Sequence, residues 1–261
     1  KIRAARAAGL SVASDRYPYT ASCTDLDVIL PEWASQGGRA AILARLRDPG
    51  ERAKIRAEMA AERDEAYWEG VWVGSTRHPD NAPFAGKPIL AASEAWKLHP
   101  LDAALRFMET DELFTGGIFF GMSEENMWRI LAEPWVMIGS DASIRSPEGP
   151  LSHDHPHPRA YGTFGRFLRA ALDGKTVSVG EAVRKMTGLP AEQFRLEGRG
   201  VLRAGAFADV VVLDPATFRD RATYEKPHQF CEGVSGVWVN GVVTVRDGKD
   251  TGGRGGRDLT A

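Results

Sequence analysis

Cysteine is scarce in this chain. Cys23 and Cys231 are the only two in 261 residues. Two thiols cannot build a disulfide framework, and they fit a reducing, cytoplasmic setting. No apolar run approaches the roughly 18–20 residues that a membrane-crossing helix needs. A net charge of -2 leaves no basic footprint for nucleic acid or for an anionic membrane surface. Several catalytic signatures are also missing: there is no GxSxG nucleophile elbow, no CxxC, no P-loop, and no GxGxxG at a strand–helix junction. Serine-hydrolase, dithiol-redox and nucleotide-binding readings lose their usual support. Disorder is excluded as well, because 43% of the residues are hydrophobic and the charge is nearly balanced.

The ordered pattern begins abruptly. Residues 1–9, KIRAARAAG, read as the end of a helix, with cations in its last turn and Gly9 as the stop. A helix end without a helix start predicts a chain that opens inside a domain. Ser11 to Ser14 is a strand candidate leading into Asp15-Arg16-Tyr17-Pro18-Tyr19, the way an α/β barrel delivers polar and aromatic residues to its mouth.

Residues 21–110 have a different texture. Two Ala/Arg/Glu-rich helices meet at Asp48-Pro49-Gly50, with Asp48 as N-cap, Pro49 at the first helical position and Glu51 three residues after the cap. A Trp-, Gly- and Pro-rich stretch follows, then a helix around Ser93 to Met108. An insertion of this length between barrel strands is either a lid or a decorative surface insertion.

A βα rhythm then returns over 111–195. Gly117 to Phe120 is a short strand, and Ser123 caps a helix with Glu124 and Glu125 in its first turn. Trp135 to Ile138 is the continuous apolar run of a buried parallel strand, ending in Gly139-Ser140-Asp141. Tyr161 to Leu172 is a helix, and Ser178 with Glu181 forms a capping box for another. Residues 196–250 change class. Ala208 to Leu213 is a strand, and Asn240-Gly241 joins two more as a hairpin. The glycine-rich tail, 251–261, reads as flexible.

Three candidates for chemistry stand out. Asp141 lies at the C-terminal end of a buried strand, where barrel enzymes hold catalytic groups; a carboxylate there can bind a metal or move a proton, or can simply cap a loop. Three of the six histidines fall within Leu151 to Arg159, as His153, His155 and His157. HxHxH can be a metal site, but the flanking prolines give no reason for the rings to converge, so a supporting role is the stronger alternative. Arg159 suits bidentate binding of a carboxylate, or could be a surface salt-bridge arginine. Tyr17 and Tyr19 could donate to an oxyanion or a substrate carboxylate, or could pack beneath the lid.

The strings Ile138-Gly139-Ser140-Asp141, His157-Pro158-Arg159, Tyr161-Gly162-Thr163-Phe164 and Glu181 to Thr187 stand in the order seen in the N-acyl-D-amino-acid deacylases (D-aminoacylases). Asp15 to Tyr19 and Leu30-Pro31-Glu32-Trp33 also resemble that pattern. Arg199-Gly200, Gly205, Ala208-Asp209 and Leu213-Asp214-Pro215 resemble the closing β domain of the wider amidohydrolase superfamily. The resemblance implies the C-terminal part of a metal-dependent (β/α)8 barrel, with a lid insertion and a small β domain. It makes Asp141 a metal contact and the general base and acid. It makes Arg159 the holder of the substrate α-carboxylate, and Tyr17 a further substrate contact. It also implies one or two zinc ions, with most ligands upstream of this chain, on an N-terminal half of the same enzyme; Cys23 does not match the family's ligand cysteine. The substrate class is a small N-acyl-D-amino acid, cleaved to a D-amino acid and a carboxylate. The alternatives are an amidohydrolase of cyclic amides, dihydroorotase- or hydantoinase-like, and a non-catalytic truncated chain.

Overall fold

A computed structural model describes residues 1–259 of the chain. It opens with helix α1 (Ile2–Ala7), which has Arg6 in its last turn and is followed by Gly9 in the left-handed region at φ +85°. Strand β1 (Ser14–Arg16) begins where the sequence reading had the strand end. Its extent is set by its partner: Ser14, Asp15 and Arg16 pair in parallel with Val136, Met137 and Ile138.

The next hundred residues form a body with its own core. Strand β2 (Ala21–Asp25) leads to helices α2 (Gly38–Arg47) and α3 (Pro49–Glu62). The Asp48 carboxylate accepts from the Glu51 N–H, as the cap pattern required. Strand β3 (Val71–Val73) follows. The helix expected over Ser93 to Met108 is instead two, α4 (Ile89–Trp96) and α5 (Pro100–Thr110). Lys97 turns left-handed at φ +53°, and His99 Nδ1 caps α5 by accepting from Leu101 N–H ahead of Pro100. Strand β4 (Gly116–Phe120) does not resume the βα alternation; it is the middle of an antiparallel sheet ordered β2-β4-β3. Trp68, Phe107, Ile55, Leu105 and Met108 fill the core between this sheet and α2–α5.

A second core is built around residues 136–138. Helix α6 (Glu124–Leu131) starts at Ser123, whose hydroxyl accepts from Asn126 N–H. Strand β5 (Val136–Ile138) is buried at every position, as a strand covered on both faces must be. Helices α7 (Arg159–Leu172), α8 (Val179–Met186) and α9 (Gly188–Gln193) follow, the last unread from sequence. Ser178 accepts from Glu181 N–H, but the Glu181 carboxylate turns to Arg184, so only half of the capping box forms. Phe167, Leu168, Leu131 and Ala182 pack on β5.

The final sheet has the order β6-β7-β8-β9, built from β6 (Val210–Leu213), β7 (Val234–Val239), β8 (Val242–Arg246) and β9 (Lys249–Asp250). Asn240 and Gly241 both take positive φ, +50° and +82°, as the tight β7–β8 turn demands. Two contacts link the described part of the glycine-rich tail to the sheet end. Asn240 Nδ2 donates to Gly255 O at 2.6 Å, and Arg257 stacks on Phe207 at 4.7 Å. The last two residues of that tail, 260 and 261, lie outside the described residues. Among the described residues the parallel pairing is confined to β1 and β5, so a closed eight-stranded barrel is not seen within this chain. No described helix is long and apolar enough to cross a membrane.

Candidate active site

Everything that points to chemistry gathers beyond the C-terminal end of β5. The ladder with β1 continues through Gly139 N–H to Arg16 O at 3.3 Å. Gly139 is required here, because a Cβ would stand 2.9 Å from the Asp15 carboxyl carbon. Two residues on, Asp141 adopts φ +48°, a left-handed turn that Asp tolerates better than most residues. Its carboxylate is thrown into a cavity of about 680 Å³, lined among others by Cys23, Arg77, Arg145, His153 and Arg159.

Arg159 is the first residue of α7, and its side chain is only 8% exposed. Nη2 lies 2.8 Å from Asp141 Oδ2 and donates to Cys23 O at 3.4 Å. The guanidinium carbon sits 4.6 Å from the centre of the Tyr17 ring. Asp141, Arg159 and Tyr17, singled out separately in the sequence, are therefore brought together. Tyr17 lies behind the guanidinium and is not among the residues lining the cavity.

The three clustered histidines separate. His155 Nε2 meets Tyr224 O at 2.6 Å, while its backbone N–H donates to Ser75 Oγ. His157 is buried, with Nε2 on Ala21 O at 3.1 Å and Nδ1 on Arg159 N–H at 2.9 Å. His153 lines the cavity wall. Burial, with the Arg159 charge next to it, brings the His157 pKa down to about 3. Burial also raises the Cys23 thiol, against the pull of Arg159, which leaves it protonated and weakly nucleophilic. Arg145 pairs with Asp154 at 2.8 Å on the cavity rim. Among the described residues no three His, Cys, Asp or Glu converge as a metal shell. Among the described residues these donors do not make up a complete zinc site; Asp141 offers one carboxylate donor.

Sequence reasoning missed Tyr224. It reaches across from the β-rich end of the chain to lie 5.1 Å from the His157 ring and 4.7 Å from Phe120, and burial pushes its pKa up to about 12. It also missed Arg77, whose guanidinium stacks 3.4 Å over Phe114 at the cavity wall. Neither has a local signal, since each is recruited by packing between segments far apart in sequence.

Residues 127–245, which contain Asp141, His157 and Arg159, match the Amidohydro_3 model of the amidohydrolase family. This segment is similar to the amidohydrolase family. Its relatives narrow the resemblance. An N-acyl-D-glutamate deacylase of Alcaligenes xylosoxydans xylosoxydans is 35% identical over 242 residues, 92% of this chain and 40% of that protein. A D-aminoacylase of the same organism is 47% identical over 146 residues, 55% of this chain and 28% of that protein. The solved structure of an N-acyl-D-glutamate deacylase from Bordetella bronchiseptica, in complex with zinc and a phosphonate mimic of the tetrahedral intermediate, superposes with a TM-score of 0.67 at 31% identity. The match covers 93% of this chain and 41% of that one. The segment and its surroundings thus resemble part of the N-acyl-D-amino-acid deacylases, as the sequence motifs implied. The chain spans less than half the length of these relatives.

Proposed function

We propose that this chain is the part of an N-acyl-D-amino-acid deacylase that supplies the proton-carrying carboxylate and the substrate's anion anchor. The observation that carries the reading is the Asp141–Arg159 pair facing one cavity, an exposed carboxylate held against a buried guanidinium. Arg159 takes the substrate α-carboxylate through its fork of N–H donors, displacing Asp141 as its partner. Asp141 is then free to take a proton from the water that attacks the amide carbon. It returns that proton to the nitrogen as the C–N bond breaks, giving a D-amino acid and a carboxylic acid. Tyr17 serves the substrate side by supporting the guanidinium plane.

A zinc site, of one or two ions, belongs to this reading with Asp141 as this chain's single donor and the other donors on an N-terminal half of the same enzyme. β1 and β5 are read as strands of the (β/α)8 barrel that the half completes. Residues 21–110 are read as its lid and 196–250 as its small β domain. A cytoplasmic setting suits the two free thiols.

The test is a hydrolysis panel on the full-length zinc-loaded protein. N-acetyl-D-amino acids should turn over, with N-acetyl-L-amino acids, hydantoin and dihydroorotate left largely intact. Preferential opening of the cyclic amides would overturn the proposal in favour of a dihydroorotase- or hydantoinase-like enzyme.

A further inference from the structure

His157 is the most tightly specified side chain near the cavity, yet no proton-transfer or anion-binding role above uses it. Its ring is enclosed by Tyr19 and Tyr224, both edge-on at 5.1 Å, and by Tyr17 at 6.0 Å. Both nitrogens are committed to the backbone. The Arg159 N–H is an obligatory donor, so Nδ1 must accept; Ala21 O is an obligatory acceptor, so Nε2 must carry the hydrogen. Only one tautomer of the neutral ring satisfies both. A second proton on Nδ1 would face the Arg159 N–H, so the ring can neither give nor take a proton while it stays in place.

We propose that His157 is a positioning residue for Arg159. Its Nδ1 holds the first N–H of α7, a group with no partner inside the helix. Its Nε2 ties that helix start to β2 at Ala21. The second residue beyond Ala21 is Cys23, whose carbonyl receives the Arg159 guanidinium. One imidazole therefore fixes both the backbone from which Arg159 springs and the strand against which its guanidinium lies. The ring also packs beside Tyr17, on which the guanidinium stacks. The role follows from the geometry; that the anchored anion is a substrate carboxylate rests on the deacylase reading.

The two hydrogen bonds can be separated by substitution. Asn places an amide oxygen where Nδ1 stands and accepts from the N–H two residues on, as an Asx turn does. Gln reaches toward Ala21 O but cannot close that turn. In the full-length zinc-loaded protein, H157N should raise KM for N-acetyl-D-glutamate and N-acetyl-D-methionine only about threefold, the effect of the lost tie to Ala21 O. H157Q should raise it roughly tenfold or more with kcat little changed. Equal KM for wild type and both variants, or a loss confined to kcat, would overturn the proposal. Should H157Q not fold, nitrogen-15 shifts of the wild-type imidazole decide instead. A neutral ring protonated at Nε2 at pH 6 is required, and a charged ring or the Nδ1–H tautomer contradicts the role. A wild-type protein that hydrolyses no N-acyl-D-amino acid would sink the deacylase reading alone, because the shifts test the positioning geometry without substrate.

Discussion

Arg159 and Asp141 form an ion pair of unequal exposure: the arginine side chain is 8% exposed and the aspartate 66%. A buried guanidinium cannot follow its partner outward, so the exposed aspartate can leave only when another anion takes its place. Under the proposed reading, the substrate carboxylate replaces the aspartate at this fixed cation. Replacing Arg159 by Ala should raise KM roughly 100-fold or more. Lys in its place should rescue only partly, because a point charge cannot reproduce the fork or the stack on Tyr17. Steady-state kinetics of both variants check this; an unchanged KM in Arg159→Ala would make Arg159 structural.

Gly139 is a steric prediction. Any Cβ there meets the Asp15 side chain, including its Cβ at 3.1 Å, which no rotamer can move away. Gly139→Ala should push β5 from β1 and displace Asp141 two residues on. We expect a loss of about 1–3 kcal/mol in denaturant unfolding together with a fall in kcat. A variant as stable and active as wild type would show that the β1–β5 contact is loose.

The buried His157 makes stability depend on pH. It ionises near 6.5 when free and near 3 in the folded chain, so between those values the unfolded chain binds more protons. Stability from this group is complete above about pH 6.5 and is lost as pH falls toward 3, by on the order of 5 kcal/mol in total. Urea midpoints at pH 7, 5 and 4 should fall in wild type, and less steeply in His157→Asn. Parallel falls would assign the acid sensitivity to other groups.

Lys185 is fully buried, and its Nζ donates to Val136 O at 2.8 Å and to Glu133 O, fastening the entry to β5. Burial draws its pKa down from 10.5 to about 8. Below pH 8 both folded and unfolded chains hold the proton, and the cost of burying the charge is present in full. As pH rises from about 8 toward 10.5 only the unfolded chain stays charged, so the folded state gains. Lys185→Met loses both hydrogen bonds and should cost about 1–3 kcal/mol. The gap from wild type should widen above pH 8, and thermal melts at pH 7 and 9.5 read it directly. A gap that narrows at high pH would contradict the account.

What the sequence made legible was local. The apolar run ending in Gly139-Ser140-Asp141, the Asp48 and Ser123 caps and the Asn240-Gly241 turn each carry their signal within a few residues. The antiparallel sheet around β4 does not, because Gly117 pairs with Thr24 across more than ninety intervening residues. The helix read through Lys97 failed because a non-glycine residue took the left-handed stop while His99-Pro100 restarted the chain. At the site, Asp141 was visible as a carboxylate at a strand end and Arg159 as a guanidinium in the histidine-rich loop. Their surroundings were not. The partners of His157 and Arg159 on β2 are the carbonyls of Ala21 and Cys23, 136 residues away, and a backbone carbonyl leaves no mark in a sequence. For the same reason HxHxH resembled a metal motif although His155 and His157 each ended on a different carbonyl.

The central claim is that Asp141 moves the proton in amide hydrolysis. Turnover of N-acetyl-D-glutamate and N-acetyl-D-methionine by full-length wild type and Asp141→Asn, at matched zinc content and confirmed folding, tests it most directly. The account predicts that kcat falls by roughly 100-fold or more in the variant, with the melting temperature little changed. Turnover within a few-fold of wild type would show that another group carries the proton, and would return Asp141 to a loop residue paired with Arg159.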